Sequence, residues 1–171
     1  MKNRVADLIL GIGLSVLLIQ ATYAKPPESI QTPDRLVLDK SKRNLVLLKG
    51  KDIIKSYKVA LGGNPKGRKV EEGDQKTPEG TYIVDWVNYR SKYHKSLHIS
   101  YPSSADKKRA SERGVHPGGD IMIHGIKNGY GWLGRFHRLM DWTDGCIAVT
   151  NQEIEEMLNL VPIGTKIEIV P

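Results

Sequence analysis

Residues 142–150 read WTDGCIAVT, a turn sequence that leads from an apolar segment to the start of a helix. The turn contains Cys146, the one cysteine of the 171-residue chain. A lone cysteine is most often a small buried hydrophobe. In an exported chain, however, cysteines usually pair, so an unpaired thiol needs a reason to persist. Catalysis is the simplest reason, and we interpret Cys146 as a nucleophile.

The N-terminus has the order of an export signal. Lys2 and Arg4 supply positive charge, residues 8–19 are apolar, and residues 22–24 (TYA) form a cleavage site with small residues at its first and third positions. We therefore expect a signal peptide over residues 1–24, a linker over residues 25–34, and one domain over residues 35–171. An uncleaved leader that anchors the chain in the membrane is the alternative. In both cases we expect the domain in the periplasm or the cell wall.

The charge balance favours anionic surroundings. The chain has 26 Lys and Arg against 19 Asp and Glu, a formal net charge of +7. The basic residues are scattered rather than gathered in one patch, and an exported protein does not meet nucleic acid, so we exclude that partner. An anionic polymer, a carboxylate-rich substrate or a membrane surface fits better. A merely soluble charged surface is equally compatible with the count.

Hydrophobic periodicity predicts a mainly β domain. Apolar or alternating runs predict strands at residues 36–38, 45–48, 53–61, 81–87, 97–101, 121–123 and 166–170. The second and third runs flank a short polar turn and predict a hairpin. Two helices are predicted, a polar one over residues 104–113 and one that starts at the capping box of Thr150 and Glu153. Short strands in this number indicate a sandwich or barrel-like arrangement.

His124 is the predicted general base. It ends the apolar run 121–123 and precedes Gly125, which places an imidazole at the mouth of a core strand. An isolated histidine is more often structural. A thiol with a pKa of about 8.5 nevertheless needs a base or a favourable field to react at neutral pH. His137, in a basic loop before Cys146, is the rival candidate.

The chain resembles the L,D-transpeptidase catalytic domain (YkuD-type) family, and its cysteine motif is closest to the YafK-like subgroup. Four blocks occur in the family's order: residues 40–50, 77–82, 121–146 and 161–165. The resemblance implies an L,D-transpeptidase-type β-sandwich with a few short helices, one of which follows the cysteine turn. It also implies a catalytic cysteine in a groove under a flexible lid.

The resemblance assigns roles by position. Cys146 is the nucleophile and His124 the base, and the Gly125 carbonyl orients the imidazole ring. Backbone N–H groups of Gly145 and Cys146 form the oxyanion hole, and the Thr143 hydroxyl braces the turn. The implied substrate is a peptidoglycan stem peptide that contains meso-diaminopimelate. No cofactor is implied.

Residues 130–138 are expected to form the lid, with glycines as hinges. Arg135 and Arg138 are candidates for contact with substrate carboxylates, and Tyr130 and Trp132 for lining the groove. A solvated basic loop is the alternative interpretation.

Two positions depart from the family pattern. Asp144 stands where many members have His, and Ala148 where many have Arg. The loss of a cation near the site leaves the acceptor open between a stem peptide, a protein lysine, a D-amino acid and water. We therefore expect an L,D-transpeptidase, with a peptidoglycan L,D-hydrolase, carboxypeptidase or amidase as the alternative, acting on stem peptides or a peptidoglycan-anchored protein. A catalytically idle cell-wall-binding module is the third hypothesis, but binding alone needs neither Cys146 nor His124.

A metal site is not expected. The candidate ligands are His94, His98, His116 and Asp120. His94 and His98 fall on a segment that is partly strand, where a separation of four does not give the helical pair that binds zinc.

Overall fold

The computed structural model of the protein describes residues 31–171. The expected signal peptide and most of the expected linker lie outside these residues. Within the described part of the chain, no helix has the length and apolarity that a membrane crossing requires. The strands are β1 (Arg35–Asp39), β2 (Asn44–Lys49), β3 (Asp52–Lys58), β4 (Gly80–Asn88), β5 (Ser96–Ile99), β6 (Met122–His124), β7 (Ile147–Ala148) and β8 (Lys166–Val170). The helical elements are α1 (Ser104–Glu112), a 3₁₀ segment (Gly131–Leu139) and α2 (Asn151–Leu160).

These strands form one sheet in the order β3-β2-β1-β8-β4-β5-β6-β7. The predicted mainly β fold is confirmed, as is the antiparallel hairpin of β2 and β3. β4 joins the two halves of the sheet, since Gly80–Ile83 pair with β8 and the rest of the strand pairs with β5. The register shifts between Val84 and Trp86, and an irregularity of this kind bends a strand. The two layers of the expected β-sandwich are therefore the two halves of a single curled sheet.

The curled sheet closes on itself beside the cysteine. Ala60, which follows β3, exchanges two backbone hydrogen bonds with Ala148 of β7, with N···O distances of 3.0 and 2.8 Å. The Gly63 N–H donates to the Thr143 carbonyl at 3.0 Å. The two ends of the strand order thus meet, and the segment before Cys146 is held against residues 60–63. β7 was not predicted from the sequence, because two residues are too few to show a period.

One core lies inside the curled sheet. Every strand and α2 contribute apolar side chains to it, among them Leu36, Leu47, Ile99, Ile123, Ile147, Ile154 and Ile167. Both predicted helices are present. Thr150 caps α2 by accepting the Glu153 N–H, while the Glu153 carboxylate accepts the Thr150 N–H, as the capping box predicts. α2 therefore starts at a defined point directly after the cysteine turn and β7.

The closure of the sheet is tightly packed at Gly62. A Cβ at this position would lie 2.1 Å from the Gln75 carbonyl oxygen, a backbone atom that has no flexible end to move. We predict that Gly62→Ala lowers the free energy of unfolding by about 1–3 kcal/mol, measured by urea denaturation. In Gly119→Ala the new Cβ would meet nothing within 4 Å, so stability should stay within about 0.5 kcal/mol of the unsubstituted protein. Equal stability of the two variants would contradict the tight closure.

Candidate active site

β6 and β7 bring His124 and Cys146 to the same cleft. The two strands run parallel, with Ile123 opposite Ile147 and His124 opposite Ala148. Because Ile123 and Ile147 are 0% exposed and point into the core, strand alternation turns His124 and Cys146 to the other side. Both side chains line a cleft of about 370 Å³, together with residues of the 69–73, 118–121 and 142–144 segments.

The cysteine turn is braced from within. The Thr143 hydroxyl donates to the Cys146 carbonyl at 2.7 Å and accepts the Gly145 N–H at 3.2 Å. Gly145 has φ +122°, and a Cβ there would lie 2.6 Å from the Lys76 carbonyl oxygen. Only glycine meets both conditions. The Gly145 N–H, assigned to the oxyanion hole from the resemblance, is therefore already engaged by Thr143, and an oxyanion would have to displace that hydrogen bond.

His124 has a defined tautomer. Its Nδ1 lies 2.6 Å from the Gly125 carbonyl oxygen, which only accepts hydrogen bonds, so Nδ1 carries the proton and Nε2 presents a lone pair. Burial lowers the pKa of His124 to about 4, although the bond to Gly125 acts in the opposite direction. The imidazole is therefore neutral at neutral pH and able to accept a proton at Nε2.

Cys146 is held as a thiol. Its Sγ donates to the Asp120 carbonyl at 3.6 Å. Burial raises the pKa of Cys146 to about 11, and the Met122 N–H opposes this effect. The Asp144 and Asp120 carboxylates raise the pKa further, while the Lys69 ammonium lowers it. A neutral thiol and a neutral imidazole thus share the cleft, so the proton must leave sulfur as the nucleophile attacks.

Two aromatic rings enclose His124. The Tyr93 and Trp142 ring centroids lie 4.5 and 5.7 Å from that of His124. Trp142 also contacts His137, whose Nδ1 accepts from the Trp142 indole N–H at 3.4 Å. His137 lines a separate, largely apolar cavity and is not among the described residues of the cysteine cleft. The structure therefore brings His124, and not the rival base, to Cys146.

The expected lid is a 3₁₀ segment that bends at Gly134, where φ is +48°. Arg138 forms an ion pair with Glu153 of α2, and Arg135 and Arg138 line a cavity at the start of that helix. Tyr130 lines the apolar cavity behind Trp142, and Trp132 is 79% exposed. None of these four is among the described residues that line the cysteine cleft. Their role in substrate binding stays a prediction.

Ala148 is fully buried and pairs with Ala60 through its backbone. It is not among the described lining residues of the cleft.

The histidines weighed as metal ligands lie apart, each beside a different carboxylate. His94 pairs with Glu155, His98 with Asp85 and His116 with Glu72. Among residues 31–171, no group of three His, Cys, Asp or Glu side chains is placed to hold a metal ion.

The cleft side chains that were not predicted from the sequence include Lys69, Glu72 and Tyr93. They lie in polar loops that come well before Cys146 in the chain, and the sequence of such loops predicts solvent-exposed connections. The signal in the sequence was weak. Lys69 lies among three acidic residues in the 69–74 segment, which is compatible with an ion pair but does not place it in a cleft.

Comparison with known proteins agrees with the resemblance that the sequence motifs indicate. Residues 33–169 match the family described as L,D-transpeptidase catalytic domain. YafK of Escherichia coli (strain K12), whose name assigns it to the L,D-transpeptidases, is 31% identical over 112 residues, which cover 64% of this chain and 37% of YafK. YkuD of Bacillus licheniformis, also named for this activity, is 24% identical over 149 residues, 85% of this chain and 69% of YkuD. The chain thus spans little more than a third of the length of YafK.

Among solved structures, the helical cell shape determining protein Pgp2 of Campylobacter jejuni is similar, with a TM-score of 0.61 and 26% identity. The match covers 78% of this chain and 46% of Pgp2. Bd1075 of Bdellovibrio bacteriovorus gives a TM-score of 0.55 at 23% identity, over 82% of this chain and 51% of Bd1075, and shares the fold.

The charges around the thiol predict how its reactivity changes. Because the Asp144 carboxylate raises the pKa of Cys146, its removal should lower that pKa and increase the thiolate fraction at any pH below it. We predict that Asp144→Asn is alkylated by iodoacetamide a few-fold faster at pH 8, with the rate profile displaced to lower pH. Asp52→Asn makes the same charge change at an exposed position of β3 and should leave the rate unchanged. Slower alkylation of Asp144→Asn would contradict this electrostatic account.

Proposed function

Because the chain belongs to the L,D-transpeptidase catalytic domain family, we propose that it is a cysteine-dependent L,D-transpeptidase that acts on peptidoglycan stem peptides. The observation that carries the proposal is the shared cleft of Cys146 and His124. His124 is oriented by the Gly125 carbonyl and presents an unprotonated Nε2, which is the arrangement that a thiol nucleophile needs. Similarity to a cell shape determining protein supports a role in cell wall remodelling.

The first half of the reaction forms a thioester. Sγ of Cys146 attacks the scissile carbonyl carbon while its proton passes to Nε2 of His124. The Cys146 N–H stabilises the oxyanion, joined by the Gly145 N–H once it leaves the Thr143 hydroxyl. When the tetrahedral intermediate collapses, the carbon–nitrogen bond breaks and the departing amine takes the proton from Nε2. The stem peptide is then joined to sulfur as an acyl group.

The second half transfers the acyl group. An acceptor amine attacks the thioester carbonyl and gives a proton to Nε2, and the proton returns to sulfur as the carbon–sulfur bond breaks. The thiol and the neutral imidazole are restored. The same residues serve both halves, so the acceptor decides the product: an amine gives a cross-link, and water gives a shortened peptide.

A hydrolase is the second candidate. It is favoured by the position of the 3₁₀ segment, whose described residues do not line the cysteine cleft. A thioester that is not covered stays open to water, whereas a transpeptidase must protect it until an amine arrives. The substrate in this case would be a stem peptide or a peptide that joins a protein to peptidoglycan.

A labelled donor peptide and a labelled acceptor peptide separate the two activities. We predict that mass spectrometry shows cross-linked product as the main species, and that a carbapenem forms a covalent adduct on the unsubstituted protein. Cys146→Ala should lose both, and His124→Ala should lose turnover by at least about 100-fold. His137→Ala removes an imidazole that lines the separate apolar cavity, and this variant should stay active. Shortened peptide alone, at every acceptor concentration, would assign the hydrolase activity instead.

We also propose that the chain is exported to the periplasm or cell wall, on the basis of residues 1–24, which lie outside the described structure. The domain would then comprise residues 35–171. We predict that protein isolated from its native compartment begins at Lys25, read by N-terminal sequencing. An intact Met1 terminus in the membrane fraction would indicate an uncleaved anchor.

A further inference from the structure

Lys69 is the one lysine or arginine among the described residues that line the cysteine cleft. Lysine is rarely buried without a partner, yet this side chain is only 3% exposed. Its Nζ donates to the Asp74 carboxylate at 2.8 Å and to the Glu71 carbonyl at 2.9 Å. An ammonium group has three N–H donors, so one donor remains beyond these two bonds.

Asp74 holds Lys69 in place. Its carboxylate accepts the Lys69 ammonium and the backbone N–H groups of Val70, Glu71 and Lys76. Burial acts to raise the pKa of Asp74, but these hydrogen bonds outweigh it and keep the pKa below its usual value. Asp74 therefore stays ionised, and the ion pair fixes the ammonium at the cleft wall before any ligand arrives. Because the ammonium is already in position, little free energy is spent on ordering this side chain when a ligand binds.

The remaining charges of the cleft make Lys69 selective. Glu72, Asp120 and Asp144 also line it, and each carries a carboxylate. These three carboxylates repel an anionic ligand that enters the cleft, whereas the Lys69 ammonium attracts it. The cleft is thus matched to a ligand whose carboxylate lies at one defined place, even though the whole chain is basic.

We propose that Lys69 is a specificity-determining residue that receives a carboxylate of the substrate through its third N–H donor. The inference rests on the proposed function, because it takes the acylated stem peptide as the ligand. The two of its carboxylates nearest to the scissile bond are the one at its C-terminus and the one on the side-chain amino acid centre of diaminopimelate. Both have the same chemistry, and the experiment distinguishes them.

Three donor peptides form the test: the free acid, the C-terminal amide, and the amide of the diaminopimelate side-chain carboxylate. The unsubstituted protein should show a kcat/KM at least about tenfold lower for one of the two amides than for the free acid. Lys69→Met should bring that acid and amide to similar values by lowering the rate on the acid, and Lys69→Arg should retain the preference. Lys127→Met removes an exposed cation outside the cleft and should leave the ratio unchanged.

The ratio of the kcat/KM values for acid and amide does not depend on how much of the variant is folded. Loss of Lys69 leaves Asp74 buried without its cation, which lowers stability, but both peptides are measured on the same preparation and the folded fraction cancels. An equal loss on acid and amide in Lys69→Met would overturn the inference, since it would indicate an effect on the thiolate. An unsubstituted protein that does not discriminate would overturn it as well.

A binding experiment on an inactive variant tests this inference separately from the proposed function. Cys146→Ala cannot turn over, and titration with the same three peptides, followed by NMR, should show tighter binding of the free acid than of one amide. Absence of turnover by the unsubstituted protein, with this binding preference intact, would refute the proposed function and support the carboxylate site. Equal binding of all three peptides would refute the site.

Discussion

Two backbone hydrogen bonds between Ala60 and Ala148 close the curled sheet, and the position of the cysteine depends on them. They hold β7 against the chain that leaves β3, while the parallel pairing with β6 holds it on the other side. Cys146 directly precedes β7, so its position is set by two neighbours that are distant in the sequence. His124 ends β6 and is set by the same pairing. The nucleophile and the base are thus positioned by sheet hydrogen bonds rather than by a flexible loop.

The same closure explains the electrostatics of the site. It packs the cysteine turn against residues 60–63 and 76, so the thiol is largely desolvated and its pKa rises to about 11. Tyr93 and Trp142 shield His124 from water, and its pKa falls to about 4. Burial disfavours the charged form of each group, so the cleft holds a neutral pair. A pair of this kind holds little thiolate at neutral pH, so the proton has to leave sulfur during the attack.

Within this cleft, the Lys69 and Asp74 ion pair supplies a fixed positive charge among carboxylates. The overall basic character of the chain therefore says little about the charge that a substrate meets near the thiol. Arg135 and Arg138, which the sequence offered as carboxylate partners, lie instead beside the first turn of α2. The local arrangement of a few charges, and not the net charge, governs what the cleft can recognise.

The sequence by itself determined the mainly β class, the hairpin, both helices and the candidates Cys146 and His124. These features depend on short-range signals: a period of two, a capping box, and a nucleophile and a base at the ends of apolar runs. The tertiary structure alone decided the closure through β7, the occupied Gly145 N–H, and the presence of Lys69 in the cleft. Each of these depends on contacts between segments far apart in the chain, and no local pattern records which distant segment a loop will meet.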